Sequence, residues 1–112
     1  MRNTRRLVER YFASWNEKNA AARRTTIDEI WDEDASYLDP MGLARGRDAV
    51  DATIATLQSQ FPDFAYSLAG TVDAHHNVAR FSWEFGPVAG FSVVVINDND
   101  QITSVFGFLD NL

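Results

Sequence analysis

A chain of 112 residues, 46% hydrophobic and 12% aromatic, is long enough for one core and too short for two ordinary domains, so residues 1–112 are expected to form a single domain. A formal net charge of −6 and a pI near 4.7 oppose nucleic-acid binding, which rests on Lys and Arg neutralising phosphates. The absence of cysteine excludes thiol catalysis, disulfide frameworks and thiolate metal sites.

Leu7, Val8, Tyr11, Phe12 and Trp15 recur at the spacing that places them on one stripe of a helix over about residues 4–18. Asn19 reads as the N-cap of a second helix, with Ile27, Ile30 and Trp31 facing inward and WDEDA closing it. SYLDP reads as a short strand stopped by Pro40, which lacks the N–H a ladder needs, and MGLARGR as a loop. Asp48 is the expected cap of a third helix, whose face of Val50, Ile54, Leu57 and Phe61 runs until Pro62.

The periodicity then changes. Runs rich in Val, Phe, Ile, Tyr and Trp predict four strands, about 64–74, 78–86, 90–97 and 102–109, separated by the turn compositions AHHN, GPVAG and NDNDQ. Short turns imply antiparallel pairing, with the helices on one face of the sheet, which makes the class α+β. The longest apolar stretch, around Val93 to Ile96, is far short of the roughly 20 residues that span a membrane. With no continuous apolar run or small-residue cleavage site in MRNTRRLVERYF, a cytoplasmic location is the expectation.

The order helix, helix, strand ending in an acid-proline pair, helix, then meander resembles the nuclear transport factor 2-like superfamily, and within it the SnoaL-like proteins and ketosteroid isomerases. RYFASWNEKN, IWDEDASYLDPMG with the following GRDAV, and NDNDQITSVFGFLD carry the likeness, which covers nearly the whole chain. The resemblance implies a cone: a curved antiparallel sheet with three N-terminal helices packed on its concave face and a pocket at the wide end. It specifies function less well, because such cones host isomerases, cyclases, dehydratases, binding modules and interaction domains.

Tyr37 and Asp39 sit two apart in a strand, so their side chains share a face. In the ketosteroid isomerases a carboxylate matching Asp39, also followed by proline, is the base that moves a proton beside a carbonyl. An apolar pocket raises a carboxylate's pKa toward values useful for that work. The competing reading is an Asp that ends a strand and bonds to the turn at Pro40, Met41 and Gly42. Tyr11 matches the place of the isomerases' tyrosine that donates to the enolate oxygen, and otherwise reads as a core aromatic. The segment around AARRTT is longer than in those enzymes, which leaves its register open. The resemblance puts the isomerases' protonated acid near Ser92, which can donate but is not an acid, a departure that separates this chain from steroid isomerisation itself.

Trp15, Trp31, Tyr37, Met41, Phe61 and Phe64 form a candidate apolar lining for a fused-ring or aromatic ligand. His75 and His76 fall in the AHHN turn, one at the rim of the cone and the other in solvent. As adjacent strand residues they point to opposite faces, so no metal site is expected. In VARFSWEF, Ala79, Phe81, Trp83 and Phe85 share the core face, and Arg80, Ser82 and Glu84 the other. That polar stripe reads as solvated, as a surface through which two copies pair, or as pocket wall. The same choice stays open for Phe106, Phe108 and Asp110, with Phe108 kept as a candidate pocket residue.

GLARGR lacks the lysine and preceding strand of a phosphate loop, and no serine-nucleophile elbow is present. Three functions follow as expectations. The first is a cofactor-free isomerase or cyclase using Asp39 as base on a carbonyl-containing hydrophobic ring. The second is a pocket that binds a hydrophobic small molecule without chemistry, and the third a homodimeric interaction module paired through the sheet.

Overall fold

The computed structural model describes residues 3–110. Helix α1 (Thr4–Asn16) is capped by the Asn3 side chain, which accepts from the Arg6 N–H at 3.0 Å, and it buries the whole stripe from Leu7 to Trp15. It stops two residues before the expected end. Asn19 does cap α2 (Ala20–Ile30), accepting from the Ala22 N–H at 2.9 Å.

The chain then departs from the sequence reading. WDEDA does not close α2: the helix ends at Ile30, and Trp31 opens the nine-residue strand β1 (Trp31–Asp39). A register irregularity between Trp31 and Ser36 carries the acidic run, where the Asp32 side chain accepts from the Asp34 N–H at 2.9 Å. Trp31, Ala35 and Tyr37 still reach the core, but the bulge breaks the alternation that would have revealed a strand.

The segment MGLARGR is not a plain loop either. Gly42–Arg45 forms β2, a hairpin partner of β1 with Asp39 opposite Gly42 and Ser36 opposite Arg45. Gly46, at φ +86°, takes the N-cap position of α3 (Arg47–Gln60), and Asp48 lies instead in the first turn, paired with Arg24 at 2.6 Å.

The strands β3 (Tyr66–His75), β4 (Val78–Phe85), β5 (Val88–Ile96) and β6 (Ile102–Leu109) form the expected meander. β5 begins two residues early because only Gly86 and Pro87 separate it from β4. The sheet order is β2-β1-β6-β5-β4-β3. Its β1–β6 pair is parallel, so the curved sheet is mixed rather than wholly antiparallel. Such a pair needs no hairpin, since most of the chain connects the two strands, and no local turn signal announces it.

Three helices cover one sheet face and enclose a core in which Ile27, Trp31, Phe81, Ile54 and Val105 are almost fully buried. On β4 the core face is Ala79, Phe81, Trp83 and Phe85, while Arg80, Ser82 and Glu84 are exposed, as the alternation required. A buried Arg23 joins α2 to α3 through Asp51 at 2.7 Å and the Gln58 amide oxygen at 3.1 Å. Among the described residues no helix is long and apolar enough to cross a membrane.

Candidate functional site

Tyr37 and Asp39 project to the same side of β1, toward the space between the β1–β2 hairpin and α3. A cavity of about 520 Å³ lies there, walled by Trp15, Tyr37, Asp39 and Tyr66, by the hairpin from Met41 to Ala44, and by α3. Met41 and Leu43, 81% and 65% exposed, stand with Phe61 at its rim. Among the described residues Asp39 is the only charged side chain lining it.

Both oxygens of Asp39 are engaged. Oδ1 accepts from the Met41 and Gly42 N–H groups at 2.8 and 3.1 Å, closing the hairpin turn. Oδ2 accepts from the Tyr37 hydroxyl at 2.6 Å. The turn-forming reading of Asp39 and its placement at a pocket are therefore both realised in one residue. With three donors on a group that has about four lone-pair sites, one site on Oδ2 is left. Gly107 on β6 makes room for the pair, since a Cβ there would lie 3.3 Å from the Asp39 Cβ and 3.6 Å from the Tyr37 hydroxyl.

All three tyrosines of the chain converge on this end of the core. Burial is the main cause that raises each hydroxyl's pKa well above its ordinary value. For Tyr37 the neighbouring Tyr11 and Tyr66 and the Asp39 charge add to it, and for Tyr66 the Asp39 charge does. These phenols remain protonated donors at neutral pH.

Of the expected pocket residues, Trp15, Tyr37, Asp39, Met41 and Phe61 line the cavity. Tyr11 does not: it is 4% exposed and packed behind the wall against Phe12, Trp31 and Phe81. Ser92 is buried beside it and accepts from the Trp83 indole at 3.0 Å, so the structure brings Tyr11 and Ser92 together but outside the cavity. Trp31 is sealed in the core, its indole donating to the Ser14 hydroxyl at 3.4 Å. Phe64 stacks on Phe61 at 5.7 Å without reaching the lining.

His75 sits at the far end of β3, beside Asp73 and Arg80 at a separate depression, and not at the rim of this cavity. Phe108 lies on the opposite sheet face, 47% exposed and stacked on Phe91 at 4.8 Å, because Val105 and Gly107 occupy the inward positions of β6. Residues 106 and 108 thus belong to the outer surface.

Tyr66 and the polar stripe Thr53, Thr56 and Gln60 of α3 are lining residues that sequence reasoning missed. The i, i+3, i+7 spacing of the stripe was legible, but it flanks the apolar face of Val50, Ile54 and Leu57 and reads as solvated. Tyr66 carried only a period-2 signal with Leu68.

Three helices on a curved mixed sheet, with a solvent-open apolar cavity holding one carboxylate, define a cone of the nuclear transport factor 2-like class. The chain belongs to the SnoaL-like family, whose domain model matches residues 8–111. It is similar to a candidate isomerase of the SnoaL-like family from Agrobacterium tumefaciens str. C58, at 34% identity and TM-score 0.90, over 94% of this chain and 95% of that one. A SnoaL-like protein of unknown function from Burkholderia thailandensis E264 shares the fold at TM-score 0.81 and 11% identity, over 99% of each chain. A protein of ketosteroid isomerase-like fold from Catenulispora acidiphila DSM 44928, solved in complex with trimethylamine, matches at TM-score 0.76 and 16% identity, over 90% of this chain and 82% of that one. None of the curated proteins compared with the chain matches it.

Proposed function

We propose that the protein is a cofactor-free proton-transfer enzyme of isomerase or cyclase type, acting on an uncharged, carbonyl-containing ring compound held in the cavity between the β1–β2 hairpin and α3. The observation that carries this reading is the Asp39 carboxylate, set as the only charge among the described residues lining a largely apolar 520 Å³ cavity and oriented by Tyr37 at 2.6 Å. That volume lies in the range of small-molecule sites, roughly 300–1,000 Å³. The Tyr37 and backbone N–H bonds fix the carboxylate so that one Oδ2 lone pair is left to accept a carbon-bound proton beside the ligand's carbonyl. The family relative carrying an isomerase description supports the reaction class.

Thermal unfolding of the wild type and Asp39→Asn against ring ketones and phenols tests the site. Phenols, as enol mimics, should stabilise both proteins, and the Asn variant as much or more, since binding raises stability by RT ln(1 + [L]/Kd). The reading fails if no compound shifts either protein.

A second reading concerns the outer sheet face. Leu38, Phe106 and Phe108 are 44%, 39% and 47% exposed, and the strand register sets Leu38 beside Phe106 and Phe106 beside Val93, while Phe108 stacks on Phe91. Such a contiguous apolar surface favours pairing of two copies through the sheet. Light scattering should then give a dimer for the wild type and a monomer for Phe108→Arg.

A further inference from the structure

We propose that Tyr66 is the specificity-determining hydroxyl of the cavity, the group that takes the oxygen of the ring ligand. This assignment rests on the ligand class argued above and adds to it the residue that recognises the oxygen. The three tyrosines are not equivalent. Tyr11 lies behind the cavity wall, and Tyr37 spends its single proton on Asp39. Tyr66 lines the cavity, and its hydroxyl has no hydrogen-bond partner among the described residues.

Its position is fixed from two sides. The Asn16 side chain clamps the Tyr66 backbone, accepting from its N–H at 2.8 Å and donating to its carbonyl at 2.9 Å. The ring stacks on Phe85 at 4.5 Å and meets Trp83 and Trp15 edge-on at 5.1 and 5.4 Å. A phenol held this rigidly in a solvent-open cavity, with its polar end uncommitted within the fold, is preorganised to exchange water for a ligand oxygen. Trp15 lines the same wall, but its indole is directed to the Tyr11 hydroxyl behind it, which leaves Tyr66 to meet the ligand's oxygen. Burial and the Asp39 charge both keep the Tyr66 phenol protonated, so it serves as a neutral donor. Among the described residues no Lys, Arg or His lines the cavity to offset Asp39, so a carboxylate-bearing ligand of the same shape is disfavoured by charge repulsion.

Titration of tryptophan fluorescence with 2-tetralone and with tetralin, which lacks only the carbonyl oxygen, tests the assignment. Tyr66→Phe should bind tetralin as the wild type does and 2-tetralone about fivefold more weakly, the value of one neutral hydrogen bond. Its melting temperature should be unchanged, because the hydroxyl has no partner in the fold; a clear fall would reveal such a partner and overturn the proposal. In the wild type, 2-naphthol should bind more tightly than 2-naphthoate. Equal affinity of Tyr66→Phe and wild type for 2-tetralone removes Tyr66 from the site, and if Asp39→Asn still lacks proton transfer then the proposed function stands without it. A wild type that binds neither ring compound overturns both.

Discussion

Raising the pH should unfold the protein through its tyrosines. Each of the three is held protonated in the folded state by burial, against an ordinary value of 10.0 in the unfolded chain. A folded-state pKa raised above the unfolded one gives stability that is fully present below pH 10 and is lost as the pH climbs toward the folded values, because the unfolded chain releases protons that the native state retains. Each tyrosine then costs about 1.4 kcal/mol per pH unit, so the cluster costs about 4 kcal/mol per unit. Set against a typical total of about 5–15 kcal/mol, this places alkaline unfolding roughly one to four units above pH 10. Lys18 is the chain's one lysine and lies exposed, which leaves the tyrosines to dominate. Tyrosinate absorbance and far-ultraviolet circular dichroism, followed together, should change in one coincident transition. Ionisation of all three phenols near pH 10 with the circular dichroism still native would refute the buried cluster.

Gly107→Ala should weaken ring-ketone binding or turnover several-fold with little change in stability, because the new methyl presses on Asp39 and sits against the Tyr37 hydroxyl at 3.6 Å; isothermal titration checks it. Arg23→Ala should lower the urea midpoint by an amount equivalent to about 3 kcal/mol, since it leaves Asp51 and Gln58 without their buried partner. Trp31→Ala should cost about 3–5 kcal/mol by the same assay, since the indole is wholly buried and the cavity left behind cannot fill.

Helix stripes and the period-2 runs after Ala65 made the three helices and the meander legible, because each element's pattern is local. What was lost depended on contacts distant in sequence. The acids of WDEDA resemble a helix end, yet Trp31 must reach the core from a strand, and the bulge that allows it destroys the alternation. The parallel pairing of β1 with β6 leaves no turn signature. At the site, Tyr37 and Asp39 were readable from their spacing, whereas Tyr66 reaches them only through packing from the other edge of the sheet. Which face of β6 looks inward was settled by Val105 and Gly107, and that put Phe108 on the outside.

Proton transfer at Asp39 is tested most directly by nuclear magnetic resonance of a ring ketone such as 2-tetralone in deuterated buffer, with loss of the signal of the protons beside the carbonyl followed over time. The wild type should accelerate deuterium uptake over buffer alone, and Asp39→Asn should return the rate to that of buffer while still binding the ketone. Equal rates for the two proteins while both bind the ketone would contradict the assignment of Asp39 as the base and leave the cavity as a binding site alone.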